Sequence, residues 1–568
     1  AVAGKELGAG NDHQSQGDAE GGPHHQRPDR RVEQVTEGKN KDDAEANVGP
    51  CHCRTDPEPE RVICRQACDA RSVSRTLIDS VCEHVLIILF SLHPLHCLFV
   101  GSPRSPQSHS ELCSWGFAQL PPRCSTNDLV ITITMKKIHL LAILIVSFLF
   151  SCKDFTDVGL PNDQITRVTV FKDDALALSA MSGVYRSVES SGFLSGGSSG
   201  TFVYLGCYTD ELTSYASATA DTSLFYLLTH QPDTPRMNSI WSATYKQIYY
   251  INAMIEGLQQ SSQLSDKVKN QLLGESLFMR AILHHYLFNT FGEIPYITTT
   301  DYQQNKTVSR TDKELIFKNL ESDLKNALEK LPDTYNKGFR VRPSKVSAKA
   351  LLARVYQNQK KWDEVIKYTT EIINDPSYTM ENNIDKTFLK ESSSAIWQLM
   401  PYDNTYNTQQ GNYFILRTAP PTTVSLSLDL VNDFENNDKR KTQWIGEKKD
   451  ASGNTYFYSY KYKQQTNTTS TLEYSIIFRV EEQFLLRAEA YIEKAQPSLA
   501  LLDLNKIRNR VNLPSINNTD KTFLLEALLK ERRTEFFTEW GQRFYDLKHF
   551  GKLDTKMILV KPNWKNHY

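Results

Sequence analysis

The side chains with the widest chemical range in this chain are its cysteines, and they are unevenly distributed. Of the ten cysteines, all but Cys152 and Cys207 lie before Met135. Two stretches, Cys51-His52-Cys53 and the segment from Cys64 to Cys68, contain zinc-ligand residue types. Neither has the paired C-x2-C spacing of a zinc site or an apolar segment to support one. We therefore predict no metal site.

Catalytic motifs are absent from the sequence. H-E-x-x-H, G-x-S-x-G and P-loop patterns do not occur. His284 and His285 are adjacent in a predicted helix, so their side chains point in different directions and cannot share one metal ion. Two carboxyls held ~5–10 Å apart could hydrolyse a glycoside, but sequence does not reveal such a separation. With 65 basic and 66 acidic residues the chain also lacks the basic excess of nucleic-acid-binding proteins. The sequence predicts a non-enzyme with no cofactor and no nucleic-acid partner.

Aromatic and amide side chains cluster in two polar stretches, where they could bind a neutral ligand. Flat aromatic faces suit the C–H side of a pyranose ring, and nearby amides and hydroxyls suit its hydroxyl groups. The candidates follow the glycine- and serine-rich segment at residues 190–200, which is predicted to be a flexible loop, or lie in the segment from Trp397 onward. They are Tyr208, Asp210, Tyr215, Trp397, Tyr402, Asn404, Tyr406, Asn407, Gln409 and Tyr413. For each aromatic residue the alternative is partial burial in the core.

The composition of the chain changes at Met135. Residues 1–134 contain no methionine and no tyrosine, and they are polar, broken by proline and without sustained periodicity. Such a composition does not bury enough apolar surface to offset chain entropy. We expect residues 1–134 to be translated upstream sequence and the natural start to be Met135.

Residues 135–151 have the pattern of a lipoprotein signal peptide. Lys136 and Lys137 precede an apolar segment at residues 138–150, which is too short to span a bilayer. The segment ends in Leu149-Phe150-Ser151-Cys152, which resembles a lipobox, although Phe150 is bulkier than the usual residue. We predict that Cys152 is the lipidated N-terminus. The alternative is an ordinary cleaved secretory signal.

The remaining sequence is predicted to be mainly helical. Apolar residues recur at helical spacing in residues 174–188, 239–258, 267–291 and 311–331. A capping box of Thr311 and Glu314 is expected to start the last of these helices. Trp241 and Trp540 lie inside helical motifs and are expected to be core residues.

Two later segments have the pattern of tetratricopeptide-like helical hairpins. In the first, a helix through Leu352 and Tyr356 turns at residues 360–361 and returns over residues 362–374, and the second covers residues 484–504. The intervening residues 376–475 are less regular. Residues 443–463 predict a β-hairpin in which Tyr456, Tyr458, Tyr460 and Tyr462 share one face, which is expected to pack on the scaffold.

Several motifs occur in order across residues 152–568. They are residues 274–281 (GESLFMRA), 291–296 (FGEIPY), 434–435 (FE) with 438–440 (DKR), 484–491 (FLLRAEAY), 503–510 (DLNKIRNR), 529–535 (LKERRTE) and 543–548 (RFYDLK). With these motifs the chain resembles the RagB/SusD family of outer-membrane glycan-binding lipoproteins. Glu481 departs from the family, which usually has a small apolar residue at this point. The charged residues of the last two motifs are expected to form internal ion pairs.

The resemblance implies a mainly α fold, with a tetratricopeptide-like helical-hairpin scaffold and an irregular capping region that contains loops and a hairpin. It also implies a lipid-anchored protein, exposed on the cell outer membrane, that captures oligosaccharides. Such proteins hand their ligand to a SusC-like TonB-dependent transporter and break no bonds. Two alternatives remain, a tetratricopeptide-type adaptor that binds peptide or protein and, less favoured, a glycoside hydrolase.

The predicted organisation is therefore a leader at residues 1–134, a signal peptide at residues 135–151 and a SusD-like domain at residues 152–568. The domain is expected to have an N-terminal part at about residues 165–335 and a C-terminal part at about residues 340–568. Residues 564–568 resemble the lead-in to a proline-rich terminal strand that the sequence lacks. We expect a truncation at the C-terminus.

Overall fold

The structure is a computed structural model that describes residues 167–335 and 339–564. The predicted leader, the signal peptide, Cys152 and the two cysteine stretches near residues 51–68 lie outside the described residues. Within the described ranges, no helix is long and apolar enough to cross a bilayer. In the same ranges, no group of three or more His, Cys, Asp or Glu side chains is arranged to hold a metal ion.

The described part of the chain is mainly helical, which confirms the predicted fold class. Its helices are α1 (Arg167–Val170), α2 (Asp174–Ser190), α3 (Phe202–Tyr208), α4 (Asp221–Tyr226), α5 (Pro235–Gln260), α6 (Asp266–Phe291), α7 (Tyr302–Asn305), α8 (Lys313–Lys330), α9 (Lys345–Asn358), α10 (Trp362–Ile373), α11 (Gln409–Phe414), α12 (Leu428–Asp433), α13 (Lys439–Gln443), α14 (Val480–Glu493), α15 (Pro497–Arg510), α16 (Lys521–Phe536), α17 (Gln542–His549) and α18 (Leu553–Val560). A short 3-10 helix spans Ile384–Lys386. The strands are β1 (Leu212–Ser214), β2 (Ala395–Leu399), β3 (Val424–Leu426), β4 (Ile445–Lys449), β5 (Thr455–Ser459) and β6 (Ser475–Arg479).

The four long helices predicted before residue 335 are confirmed as α2, α5, α6 and α8. The start of α8 differs from the prediction, because Asp312 and not Thr311 is the N-cap and accepts a hydrogen bond from the N–H of Glu314 at 2.9 Å. The hydroxyl of Thr311 instead accepts the N–H of Tyr296 at 3.1 Å. Thr311 therefore ties the loop after α6 to the start of α8, and the predicted capping box is wrong.

Helix α6 is buried over most of its length and contains the two adjacent histidines. His284 is fully buried: its Nδ1 lies 2.9 Å from the carbonyl of Arg280, and its Nε2 accepts the N–H of Ile297 at 3.1 Å. Burial lowers the pKa of both His284 and His285 to about 3, so both rings are neutral at physiological pH. They are core residues.

Both predicted tetratricopeptide-like hairpins are present, as α9 with α10 and α14 with α15. Helix α10 also packs against α14, so the two hairpins are neighbours in one scaffold. Small buried residues let the helices approach closely, among them Ala353 on α9, Ala488 on α14 and Ala500 on α15.

The described residues form three two-stranded antiparallel sheets, β1 with β3, β2 with β6 and β4 with β5. Strand β1 precedes the irregular segment at residues 376–475, and the other strands lie within it or begin at its end. The β4–β5 pair is the predicted hairpin, with Gly446 opposite Tyr458 and Lys448 opposite Tyr456. Its turn is closed by the carboxylate of Asp450, which accepts the N–H groups of Ser452 and Asn454, each at 2.9 Å.

A buried cluster of charged side chains joins the C-terminal helices to β6. Glu535 on α16 has no exposed surface and accepts hydrogen bonds from Arg440, Arg479 and Arg510 at 2.9, 2.6 and 2.6 Å. These three guanidinium groups outweigh the effect of burial and hold the pKa of Glu535 well below its usual range. Glu481, which departs from the family pattern, pairs with Arg479 at 3.2 Å and with Arg510, so its charge is matched in this cluster.

The motif at residues 529–535 forms the internal ion pairs that the sequence predicts. Arg532 contacts Asp546 of the next motif at 2.8 Å, and Glu531 contacts Arg440 at 2.7 Å. Removing one partner of a buried ion pair leaves an unpaired buried charge, which strongly destabilises the folded protein. These contacts therefore fix the relative positions of α13, α16 and α17.

Candidate functional site

The loop at residues 400–409 presents two exposed aromatic side chains that are predicted candidates. Tyr402 is 56% exposed, Tyr406 is 36% exposed and Asn404 between them is also exposed. These side chains project from a turn, in which the N–H of Tyr406 donates to the carbonyl of Asp403 at 3.2 Å. We call these three residues, together with Arg186 of α2, the Tyr402 platform.

A network of hydrogen bonds within the loop holds its shape. The carboxylate of Asp403 accepts the N–H and the hydroxyl of Thr405 at 2.8 and 2.7 Å, and these bonds lower the pKa of Asp403. The carbonyl of Asn404 accepts the N–H of Thr471 at 2.7 Å, which ties the outer part of the loop to residues 466–473. The side chains of the platform therefore stand on a braced turn.

Asn407 is the main anchor of this loop. Its amide donates to the carbonyl of Thr466 at 3.2 Å and to the hydroxyl of Thr468 at 2.9 Å. Its carbonyl oxygen accepts the N–H groups of Leu472 and Glu473 at 2.8 and 3.3 Å. A side chain with all four of these bonds and little exposed surface is not available to a ligand, so Asn407 positions the platform and the prediction of a direct contact is wrong.

Gln409 anchors the other end of the loop to α2. Its amide donates to the carbonyl and to the side chain of Glu189 at 3.2 and 2.8 Å. Burial raises the pKa of Glu189, because the carboxyl is partly removed from water. Gln409 is thus a positioning residue as well.

The glycine- and serine-rich segment at residues 190–200 is packed against this anchor, and the prediction of a flexible loop is wrong. Most of its residues are buried, and a Cβ atom at Gly197 would lie 2.1 Å from the Oε1 atom of Gln409. A Cβ atom at Gly200 would lie 1.9 Å from the carbonyl oxygen of Ser195. Glycine is required here for close approach of backbone and side chain rather than for mobility.

The Tyr402 ring has two neighbours that shape its surroundings. The guanidinium carbon of Arg186 lies 4.5 Å from the ring centroid, within the range of a cation–π contact. The Tyr406 ring lies 5.2 Å away at an angle of 87°, and a hydrogen bond with Tyr406 raises the pKa of the Tyr402 hydroxyl. The platform therefore combines aromatic surface, an exposed guanidinium and an exposed amide, which suits a ligand with both C–H faces and hydroxyl groups.

Trp397 and Asp210 do not face a ligand, and their prediction as binding residues is wrong. Trp397 lies in β2 with no exposed surface, and its ring packs edge-on against Phe278 at 5.0 Å. Asp210 is buried between Arg533 and Arg543, with contacts of 2.8 and 2.7 Å. Although burial alone would raise the pKa of Asp210, its bonds with Arg543 hold it well below the usual range. One residue is part of the core and the other of a structural ion pair.

The three remaining candidates lie at separate positions. Tyr208 is partly buried against Phe544 and Trp564 and lines an apolar cleft of about 310 Å³. Tyr413 is partly buried and packs edge-on against Phe202 at 6.4 Å. Tyr215 is 40% exposed and packs edge-on against Tyr456 of the β4–β5 hairpin at 5.5 Å.

Arg186 is the platform residue that the sequence did not reveal. It lies on α2, one turn before the end of the helix and more than 200 positions before Tyr402 in the chain. No local sequence pattern links this exposed arginine to the Tyr402 loop. Only the fold brings Arg186 to the aromatic ring.

Comparisons with known proteins agree with the helical architecture and its motifs. A family model described as "Starch-binding associating with outer membrane" matches residues 194–357, and one described as "SusD family" matches residues 445–565. SusD-like protein P25 from Formosa agariphila is 22% identical over 373 residues, which cover 56% of this chain and 71% of that protein. SusD-like protein P2 from the same organism is 26% identical over 244 residues, 42% of this chain and 46% of that protein.

Solved structures have the same fold. A SusD superfamily protein from Bacteroides vulgatus superposes with a TM-score of 0.61 at 21% identity, covering 68% of this chain and 90% of that chain. A laminarin-binding SusD-like protein superposes with a TM-score of 0.59 at 22% identity, covering 70% of this chain and 95% of that chain.

Proposed function

Because the chain belongs to the SusD/RagB family, we propose that it captures oligosaccharides at the cell surface and hands them to a SusC-like TonB-dependent transporter. Lipidation at Cys152 would anchor it in the outer membrane. In this proposal the protein binds glycans without cleaving them.

The Tyr402 platform is the observation that carries the proposal. Tyr402 and Tyr406 have exposed ring surface on a loop that is held by Asn407 and Gln409 rather than left mobile. A rigid loop loses little conformational entropy when a ligand binds, so weak stacking and hydroxyl contacts suffice for capture. Asn404 and Arg186 supply the amide and guanidinium donors that sugar hydroxyls require.

The descriptions of similar proteins also name carbohydrate ligands. One matching family model is described by starch binding and one solved relative by laminarin binding. These descriptions support a glycan ligand for this chain and suggest laminarin and soluble starch as the first probes. The choice of ligand within that class is left to experiment.

The proposal is tested by affinity electrophoresis of the full chain through gels that contain laminarin, soluble starch, xylan or galactomannan. Tyr402→Ala should make the free energy of glycan binding less favourable by roughly 1–3 kcal/mol, by analogy with the stacking of nucleobases on aromatic side chains. The gel should therefore retard this variant less than the wild-type protein. Tyr249→Ala is a matched control, because Tyr249 is a 49% exposed tyrosine on α5 outside the platform.

Three outcomes contradict parts of the proposal. A folded wild-type protein that none of the four glycans retards would refute glycan capture and favour a peptide ligand. Retention that Tyr402→Ala leaves unchanged would remove this residue from the site. Release of reducing sugar from any of the glycans by the pure protein would favour a hydrolase.

A further inference from the structure

The outward face of the β4–β5 hairpin carries a row of partly exposed tyrosines. Of the four tyrosines predicted to pack on the scaffold from this face, Tyr462 alone is buried in the core. Tyr456, Tyr458 and Tyr460 occupy alternating positions and are all partly exposed, whereas Phe457 on the opposite face packs against the core. A solvated strand face normally carries polar residues. Tyr215, which directly follows β1, extends the row by packing edge-on against Tyr456. We call these four residues the hairpin strip.

The backbone beneath the strip is shaped to receive a flat ring. Gly446 lies directly opposite Tyr458, and a Cβ atom at Gly446 would lie 2.3 Å from the ring carbon Cζ of Tyr458. The Tyr458 ring therefore lies over the glycine, in space that a Cβ atom would fill. Tyr460 packs edge-on against it at 5.9 Å and 84°, which fixes the orientation of both rings.

The charged side chains beside the strip bond to other parts of the protein. Lys448, opposite Tyr456, donates to the carbonyls of Leu416 and Arg417 at 3.5 and 2.5 Å. Lys463, which lies over the Tyr460 ring at 4.4 Å, donates to the carbonyl of Gln443 at 2.7 Å. Both ammonium groups keep their charge but are directed to backbone carbonyls, and the carboxylate of Asp450 accepts the hydroxyl of Tyr456 at 3.2 Å. The strip itself offers aromatic faces and phenolic hydroxyls, a surface that matches a polyhydroxylated chain.

We propose that the hairpin strip is a second carbohydrate-binding surface, along which a neutral polysaccharide lies while another part of the same chain occupies the Tyr402 platform. Alternating residues of a strand are about 7 Å apart, so successive rings of an extended glycan contact successive tyrosines. This inference rests on the proposed function. Its consequence is avidity, because two weak surfaces on one protein hold a long chain more tightly than a short one.

The experiment compares the binding of long and short glycans by the full chain. Polysaccharide affinity is measured by affinity electrophoresis with the four glycans above, and trisaccharide affinity by calorimetry with a trisaccharide of whichever glycan is bound. The test variant is Tyr456→Ala with Tyr458→Ala, and Tyr249→Ala serves as the exposed-tyrosine control. Tyr458→Phe keeps the ring, and thermal unfolding of each variant verifies the fold.

The double variant should bind the polysaccharide about tenfold more weakly and reduce the ratio of polysaccharide to trisaccharide affinity by the same factor. Tyr458→Phe and Tyr249→Ala should retain the wild-type ratio. If the folded double variant has the wild-type ratio of polysaccharide to trisaccharide affinity, the role of the strip is refuted but the proposed function is not. The strip would then be a candidate surface for a protein partner. Absence of any glycan binding by the wild-type protein would instead refute the proposed function and, with it, the role of the strip.

Discussion

Replacing Asn407 by alanine is the most direct test of how the Tyr402 platform is held. The substitution removes four hydrogen bonds, to Thr466, Thr468, Leu472 and Glu473. At a net value of about 1 kcal/mol each, their loss would lower the free energy of unfolding by about 4 kcal/mol. Thr466 and Leu472 are exposed, so water replaces part of this bonding and we expect a decrease of about 2 kcal/mol.

Asn404→Ala provides a matched control within the same loop. Asn404 has the same side chain three positions earlier but projects into solvent, so its replacement should change the free energy of unfolding by less than about 0.5 kcal/mol. Urea unfolding followed by tryptophan fluorescence measures this difference, since Trp397 and Trp444 are fully buried. Hydrogen exchange at the amides of Leu472 and Glu473 measures local opening of the loop.

The two variants should also differ in how they change ligand binding. Asn407→Ala weakens glycan binding because the loop must be ordered on binding, whereas Asn404→Ala removes one direct contact. The reasoning is refuted if Asn407→Ala has the same unfolding free energy and the same amide exchange as the wild-type protein. In that case the four hydrogen bonds contribute nothing to the order of the loop.

Two further predictions concern the core and the pH dependence of stability. Trp397→Ala should lower the free energy of unfolding by about 3–5 kcal/mol, because it leaves a cavity at a fully buried site. Calorimetry of the folded variant should show an unchanged glycan affinity. A loss of affinity without a loss of stability would show that Trp397 contacts the ligand. Burial raises the pKa of Glu473 from 4.5 to about 7, so the folded state holds more protons than the unfolded state between these values, and this carboxyl makes stability fall as pH rises through that range. Glu473→Gln should flatten that fall in urea titrations at about pH 5 and about pH 7.5, and an unchanged slope would contradict the assignment.

The helices could be predicted from the sequence because their apolar spacing is strong and their ends carry ordinary signals. The main boundaries of α2, α5, α6 and α8 differ from the predicted ones by a few residues. The N-cap of α8 was predicted one residue too early, at Thr311 and not Asp312, because both of these adjacent polar residues are good N-caps. Tertiary contacts with Tyr296 decide between them.

The candidate site was predictable only in part, because exposure depends on distant residues. Tyr402, Asn404 and Tyr406 are exposed because a turn at residues 403–406, closed by Asp403, projects them from the surface. Trp397 lies only five positions earlier but belongs to β2, in which all five residues are buried. Nothing local distinguishes the two environments.

The pairing of Asp210 with Arg543 has a consequence for the order in which the molecule is made. The two residues are 333 positions apart, and the nearby ammonium of Lys561 donates to the carbonyl of Cys207 across 354 positions. When a ribosome has completed α15, the α9–α10 hairpin already has α14, against which it packs, but Arg533 and Arg543, the partners of Asp210, have not yet been made. We expect the region around α3 to reach its native state last, since contacts of such separation form late. A chain interrupted during synthesis would therefore leave α3 without its C-terminal partners, although α3 is among the first described helices to be made.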